Sequence, residues 1–304
     1  MTHLGTKTLL KVLNLIARLP WKYLYGLSTA LRWMIFDLIG YRKKVIFKNL
    51  RKSFPEKSEK EIEQIAHDFF LHFTDLIVET PKLRTLSATD ISNRITGDIS
   101  VMDRYFNDHT NLIYLMGHRG NWELANLFSS IRFTHDCIVV YRPLQNKAAE
   151  EWFMDLRTRF GAQLVPMDEI FKELQKPRTN PYCVVLANDQ SPNPKTAFWT
   201  EFLNQDTGIF RGVEAMARRY ELTVLYADFK KIKDKRGFYQ VEVSVITDDP
   251  KNEPTNGILE KQIRILEEDI RSQPHNWLWS HKRWKHNRPS KLRQDQLYEF
   301  KHSN

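Results

Sequence analysis

The chain has 304 residues, 41% of them hydrophobic and 27% charged, which is typical of a globular protein with a substantial core. The formal net charge of +9 is uneven, because residues 1–57 carry 12 lysines and arginines against Asp37 and Glu56, whereas the remainder is nearly neutral. The two cysteines, Cys137 and Cys183, lie in apolar runs without zinc-ligand spacing, which favours buried, reduced thiols over a zinc site.

The basic N-terminal arm, residues 1–57, has the apolar spacing of amphipathic helices. Apolar residues recur at helical spacing over residues 7–39, and Pro20 is expected to kink this segment or divide it into two helices. Charges interrupt the segment too often for an uncharged stretch of about 18 residues, which argues against a clean membrane span. We expect an interfacial arm on an anionic membrane; the alternative is a core helix whose stripe packs on the protein.

The rest of the chain alternates between strands and helices. Ser58 and Glu61 form a capping box that begins a helix. The strand-like runs that follow are 112–116, 137–141, 163–166, 182–187, 223–229 and 238–246. The helix-like runs are 122–132, 147–160, 168–175, 212–220 and 257–272. This order predicts that residues 58–304 form one α/β layered domain with a mostly parallel sheet and an antiparallel hairpin at one edge.

Polar side chains follow three of the predicted strands. His118, Arg142 and the pair Asp189–Gln190 each come directly after a buried run. The carboxyl ends of parallel strands meet at one edge of an open sheet, and ligands bind there. We therefore expect these four side chains to lie in one crevice.

The segment MGHRGNWELA, residues 116–125, places His118 between a strand and a helix. Asn121 is a good N-cap for that helix, and Glu123 falls in its first turn, where a carboxylate can bend back toward the imidazole. Such a pair suits the activation of a substrate hydroxyl. An acid five residues after a histidine is no more frequent here than chance predicts, so a histidine that is merely hydrogen-bonded in a capped turn is the open alternative.

Five further blocks accompany this segment in order along nearly the whole chain. They are GYRKKVIFKNLRKSFPE (40–56), VVYRPLQN (139–146), VVLANDQSP (184–192), TGIFRGVEAMARRY (207–220) and PHNWLWSHKRWK (274–285). With these blocks the chain resembles the lysophospholipid acyltransferase superfamily. More narrowly, it resembles the bacterial lipid A biosynthesis acyltransferases, the lauroyl/myristoyl transferase family.

The resemblance implies a glycerol-3-phosphate acyltransferase-like fold and specific residue roles. His118 would be the general base, and Glu123 would be the carboxylate that orients it. Arg142 and, more weakly, Arg211 would bind a phosphate of the substrate or donor. The remaining implied substrate-binding positions are Gly120, Asn121, Asp189 and Gln190. A backbone N–H near Gly120, or the Arg142 side chain, would stabilise the oxyanion.

The resemblance also implies the partners. The acyl donor would be acyl-carrier protein or acyl-CoA, and the acceptor would be a hydroxyl of a lipid A precursor. The reaction would take place at the cytoplasmic face of the inner membrane, without a metal, a bound cofactor or nucleic acid. Two alternatives stay open: acylation of another lipid, such as a lysophospholipid or an amino-acid-containing lipid, and a non-catalytic membrane-surface binding protein.

The basic aromatic tail HNWLWSHKRWKHNRP, residues 275–289, interleaves tryptophans with lysines and arginines. Taken alone, this pattern suits stacking on nucleic acid. The resemblance favours contact with a phosphorylated glycolipid or with the acidic surface of the carrier protein. The third interpretation is a strap whose indoles pack on the body of the protein.

Overall fold

A computed structural model describes residues 3–290 of the chain. The helices are α1 (His3–Ile16), α2 (Trp21–Arg32), α3 (Lys43–Ser53), α4 (Glu59–Lys82), α5 (Ala88–Ser92), α6 (Ser100–Asn107), α7 (Trp122–Arg132), α8 (Lys147–Arg157), α9 (Ile170–Glu173), α10 (Gly212–Tyr220) and α11 (Gly257–Ser272). The strands are β1 (Ile95–Thr96), β2 (Leu112–Met116), β3 (Asp136–Tyr141), β4 (Gln163–Pro166), β5 (Tyr182–Ala187), β6 (Phe198–Phe202), β7 (Gln205–Ile209), β8 (Thr223–Lys231) and β9 (Tyr239–Thr247). A π-helical segment (Trp33–Leu38) continues α2, and short 3-10 turns span Leu83–Thr85 and Pro274–Asn276.

Seven strands form the central sheet in the order β1-β9-β8-β2-β5-β3-β4. Every pair in it is parallel except β8–β9, which confirms the predicted α/β architecture with a mostly parallel sheet. The antiparallel hairpin does not form the edge, because β1 pairs outside β9 and β8 reaches the centre beside β2. With only two residues, β1 is too short to show a strand pattern in the sequence.

The ribbon β6–β7 lies outside the central sheet and was not predicted. Its turn consists of Leu203 and Asn204, both with positive φ (50° and 60°). A two-residue hairpin needs that backbone conformation, but the usual sequence for it is Asn-Gly or Asp-Gly. A leucine in the turn therefore conceals the hairpin.

The sheet is buried on both faces, and β2 shows why its sequence is apolar throughout. Ile113 and Leu115 face one layer of the core, while Leu112, Tyr114 and Met116 face the other. Successive side chains of a strand point to opposite faces, so a strand covered on both sides needs a continuous apolar run. β2 is the middle strand of the seven, and the His118 turn begins at its carboxyl end.

The N-terminal helices pack on α4 along one side. Pro20 separates α1 from α2 as expected. Leu24 is fully buried, Ser28 donates a hydrogen bond to Asp75 at 2.7 Å, and the ring of Phe36 stacks on that of Phe70 at 4.0 Å. No helix among residues 3–290 combines the length and the apolar character that crossing a membrane requires.

Candidate active site

The His118 turn begins where β2 ends, and its position follows from the pairing of β2 with β5. The parallel register pairs Met116 with Ala187, so the residues two positions beyond, His118 and Asp189, leave the sheet side by side. The Nδ1 atom of His118 lies 2.5 Å from Oδ1 of Asp189, and the backbone N–H of His118 donates to Oδ2 at 2.7 Å. The imidazole and the carboxylate are thus held at two points.

The electrostatics of this pair favour a charged imidazole. Burial alone would lower the pKa of His118, but the charge and hydrogen bond of Asp189, with a contribution from Glu123, raise it above its usual value. Burial opposes ionisation of Asp189 as well, yet its contacts with His118 and with the indole N–H of Trp277 hold its pKa well below the usual range. Asp189 therefore stays ionised, and His118 is a stronger base than a free histidine.

The second ring nitrogen of His118 points toward Gln190. The side-chain nitrogen of Gln190 lies 3.1 Å from Nε2 of His118. In the tautomer whose Nδ1–H donates to Asp189, Nε2 carries the lone pair and can accept a hydrogen bond from this amide. The Trp122 ring meets the imidazole edge-on at 5.2 Å between centroids. The Gln190 amide therefore covers Nε2 of the imidazole.

Glu123 lies in the first turn of α7 as predicted, but its carboxylate does not bind the imidazole. It accepts two hydrogen bonds from Arg157, the last residue of α8, at 2.8 and 2.5 Å. The expected His118–Glu123 hydrogen bond is replaced by the His118–Asp189 contact. The cause is that α7 turns Glu123 toward α8, whereas the strand register brings Asp189 directly to the histidine. Arg157 was not predicted.

Gly120 shapes the turn and does not offer its amide to a ligand. Its N–H donates to the backbone and side-chain oxygens of Asn276, at 3.1 and 3.2 Å. The N–H of Gly120 itself is therefore bound within the protein, and the assignment of the oxyanion to a backbone N–H near Gly120 or to Arg142 stays a prediction. The residue has φ +56°, and a Cβ there would lie 2.7 Å from the carbonyl oxygen of Phe229, so glycine is required.

Asn121 caps α7, as predicted. Its side-chain oxygen accepts from the backbone N–H of Leu124 at 3.0 Å, and its amide nitrogen donates to the buried carboxylate of Glu79 at 2.8 Å. Both ends of the side chain are therefore bound within the protein. Asn121 acts on the site by fixing where α7 begins.

Arg142 and Arg211 are both exposed, and among the described residues neither guanidinium group forms an ion pair or a hydrogen bond. Arg142 follows β3, which is the neighbour of β5, so it lies at the same edge of the sheet as Asp189. Arg211 precedes α10, next to Phe210, whose carbonyl accepts from the side chain of Asn188 at 3.5 Å. Both guanidinium groups are open to an anionic ligand.

The C-terminal strap, defined here as residues 274–284, packs its indoles inward. Trp277 and Trp279 are 2% and 0% exposed, and Arg283 is buried as well. The strap interpretation of the aromatic tail is therefore confirmed for these residues. Trp277 also donates its indole N–H to Oδ2 of Asp189 at 2.8 Å, a contact that no pattern in the sequence indicates.

Comparison with known proteins identifies the family of this chain. The model of the bacterial lipid A biosynthesis acyltransferase family matches residues 3–286, which include the His118 turn, Asp189 and the strap. A search of curated proteins gave no match. The chain therefore belongs to the bacterial lipid A biosynthesis acyltransferase family and is an acyltransferase that transfers groups other than aminoacyl groups.

Proposed function

We propose that the protein transfers a fatty acyl chain from an acyl thioester to a hydroxyl of a lipid A precursor, with His118 as general base and Asp189 as its orienting carboxylate. The observation that carries this proposal is the Asp189 carboxylate 2.5 Å from Nδ1 of His118 in a member of this family. A carboxylate in that position fixes the tautomer with its lone pair on Nε2 and stabilises the imidazolium that forms.

The chemistry proceeds in two proton transfers at His118. Nε2 takes the proton of the acceptor hydroxyl as its oxygen attacks the thioester carbonyl, and a tetrahedral intermediate forms. The carbon–sulfur bond then breaks, the imidazolium returns the proton to the departing thiolate, and the new ester remains. The ionised Asp189 balances the charge of the imidazolium between these two steps.

Arg157 is the side chain that we assign to the developing negative charge. Its guanidinium lies close enough to His118 to oppose protonation of the imidazole, and Glu123 holds it with two hydrogen bonds. A fixed cation beside the reacting carbonyl stabilises an oxyanion or binds a substrate phosphate. In this scheme Glu123 acts through Arg157 and through its own charge, without a hydrogen bond to His118.

The open arginines supply further anion contacts. Arg142 and Arg211 are exposed near the carboxyl edge of the sheet, which suits binding of the phosphates of lipid A or of the donor's phosphopantetheine. Acyl-carrier protein and acyl-CoA both carry that group, so both remain candidate donors. Gln190 would yield its place on Nε2 to the acceptor hydroxyl.

The N-terminal arm is assigned to the cytoplasmic surface of the inner membrane. Of the 14 large hydrophobic side chains exposed among the described residues, 10 lie in residues 1–57, so apolar exposure is concentrated there. Exposed lysines and arginines accompany them on the same helices, which suits an anionic bilayer. The arm is joined to α8, because Asn146 at its N-cap and Trp152 in its middle donate to side chains of α1 at 3.0 and 2.9 Å.

The mostly parallel sheet, covered by helices on both faces, supports a glycerol-3-phosphate acyltransferase-like fold for residues 58–304. Residues 1–57 would then be an arm added to that domain. This division of the chain fits the proposed reaction, because the arm would bring the carboxyl edge of the sheet to a lipid hydroxyl.

The test is acyl transfer by the purified full chain in mixed micelles that contain a lipid A precursor, with acyl-carrier protein or CoA as the donor. His118→Ala is expected to lower kcat/KM by about 10³-fold or more, because the general base is lost. His67→Ala is the matched control: it removes an exposed histidine that lies 3.6 Å from Asp68, far from the site in sequence and on another element. Absence of transfer by the wild type, or full activity of His118→Ala, would refute the proposal.

A further inference from the structure

The C-terminal strap pairs with the turn that carries His118. Arg119 and Trp277 form an isolated antiparallel bridge, and the N–H of Gly120 donates to both oxygens of Asn276. The side-chain amide of Asn276 in turn donates to the carbonyl of Phe229 in β8 at 2.9 Å. The strap is thus fastened both to the turn and to the strand beside it.

The Trp277 indole is held in one orientation by its neighbours. Its ring meets Trp279 at 4.8 Å and 90°, Phe202 at 5.9 Å and Trp284 at 6.0 Å between centroids. Aromatic packing of this kind leaves the ring little freedom. The direction of its N–H is therefore fixed by the fold.

The N–H points at the carboxylate that binds His118. Asp189 is buried and accepts three hydrogen bonds: Oδ1 binds the imidazole, and Oδ2 accepts from the backbone N–H of His118 and from Trp277 at 2.8 Å. Two of these three hydrogen bonds come from His118, the residue that Asp189 orients. Trp277 supplies the hydrogen bond that is independent of His118. The charged or titratable groups that also face this pair are Arg283 and His281 of the strap, Glu123 of α7 and Arg157 of α8.

We propose that Trp277 is a positioning residue for the transfer reaction: its indole N–H fixes the rotation of the Asp189 carboxylate and reduces the negative charge presented to His118. This inference rests on the proposed roles of His118 and Asp189. An N–H directed at a carboxylate stabilises its charged form and places the positive end of a dipole near the imidazole.

Removal of this donor should raise the pKa of His118. Without it, Asp189 presents more of its charge to His118, the imidazolium is stabilised, and the pKa of His118 rises further. More of the enzyme is then protonated at neutral pH, so less is available as base. In Trp277→Phe the acid limb of kcat/KM should move up by roughly half a pH unit to one unit, and activity at pH 7 should fall about tenfold, with partial recovery at higher pH.

Trp279→Phe is the matched control. Trp279 is a fully buried indole of the same strap, and its N–H donates to the carbonyl of Pro274 at 2.6 Å instead of to Asp189. Both variants keep a six-membered aromatic ring and lose one buried indole hydrogen bond. A role in strap packing alone would make the two variants alike.

The experiment is a ¹³C NMR titration of the histidine rings in the full chain, with the His118 resonance assigned by its loss in His118→Ala. We expect a higher pKa for His118 in Trp277→Phe and the wild-type value in Trp279→Phe. No shift in Trp277→Phe, or equal shifts in the two variants, would overturn the inference. The titration needs no acyl transfer, so its failure is separable from failure of the proposed function, which the transfer assay reports.

A second measurement on the unaltered protein covers the case in which Trp277→Phe fails to fold. The ¹⁵N resonance of the Trp277 indole should shift with pH at the same midpoint as His118, because both contact Asp189. A Trp277 resonance that stays constant while His118 titrates would likewise overturn the inference.

Discussion

Two acidic side chains stand near His118, and they come from different regions of the molecule. Asp189 follows β5, 71 residues from the histidine, and binds its imidazole. Glu123 lies five residues away in the first turn of α7, and it binds Arg157. Sheet register makes two distant residues adjacent, whereas helix geometry turns a sequence neighbour toward another element.

The difference separates two kinds of influence on one base. Asp189 contacts the proton-bearing nitrogen directly, so it controls both the tautomer and the charge of His118. Glu123 acts through its electric field and through Arg157. Variants at the two positions should therefore differ in size and in kind.

The largest effect is expected for Asp189→Asn. The amide has no charge to balance the imidazolium and can present an N–H to Nδ1, which favours the wrong tautomer. We expect kcat/KM to fall roughly 10³- to 10⁴-fold, with KM for the donor little changed. Steady-state kinetics with a fixed acceptor measure this, and a loss below tenfold would contradict direct orientation by Asp189.

Glu123→Gln should have a smaller effect on the reaction and a measurable effect on stability. The pair with Arg157 is largely buried, with side chains 7% and 22% exposed, so its disruption should lower the free energy of unfolding by about 2 kcal/mol. We expect kcat/KM to fall about tenfold because Arg157 loses its anchor. Urea denaturation and kinetics measure the two effects.

The control for that prediction is the double variant Glu123→Gln/Arg157→Gln. It removes both charges and should regain part of the lost stability, since no buried charge is left unpaired. A Glu123→Gln variant that is less active than Asp189→Asn would reverse the ranking of the two carboxylates.

The acid limb of the pH profile of kcat/KM should shift in opposite directions in two variants. The wild-type enzyme needs neutral His118, whose pKa is raised, so kcat/KM should increase as pH rises through that pKa. Glu123→Gln removes a negative charge that contributes to the raised value, so its acid limb should move to lower pH. Trp277→Phe should move the limb to higher pH. Profiles of kcat/KM that shift in the same direction would contradict this electrostatic assignment.

The smallest effect on stability is expected for Arg142→Ala. Arg142 is exposed at the carboxyl edge of the sheet, so the melting temperature should not change. KM for a phosphorylated substrate should rise about fivefold, because one exposed charge contact is lost. Arg132→Ala is the control, as this exposed residue ends α7 at the opposite edge. Equal KM values for Arg142→Ala and Arg132→Ala would contradict a role of Arg142 in substrate binding.

The local parts of the site could be predicted from the sequence. The buried run 112–116 and the cap at Asn121 depend on neighbouring residues, and the pattern therefore places the His118 turn correctly. The expected meeting of strand ends is confirmed for His118, Asp189 and Gln190. These contacts follow from parallel pairing, which the alternation of strands and helices predicts.

The contacts that could not be predicted are non-local. Strand order decides that β5 lies beside β2, and no spacing in the sequence encodes it. Arg157 reaches Glu123 across 34 residues, and Trp277 reaches Asp189 across 88. Side-chain partners of this kind depend on how helices and the strap pack, which a period of 3.6 or 2 does not specify.

The most direct test of which carboxylate sets the basicity of His118 is the pKa of His118 in three proteins. These are the wild type, Asp189→Asn and Glu123→Gln, each titrated by NMR at the same ionic strength. Loss of a negative charge lowers the pKa of a nearby histidine. We predict the largest fall in Asp189→Asn and a smaller one in Glu123→Gln. An unchanged pKa in Asp189→Asn, or a larger fall in Glu123→Gln, would contradict the assignment of Asp189 as the partner of the base.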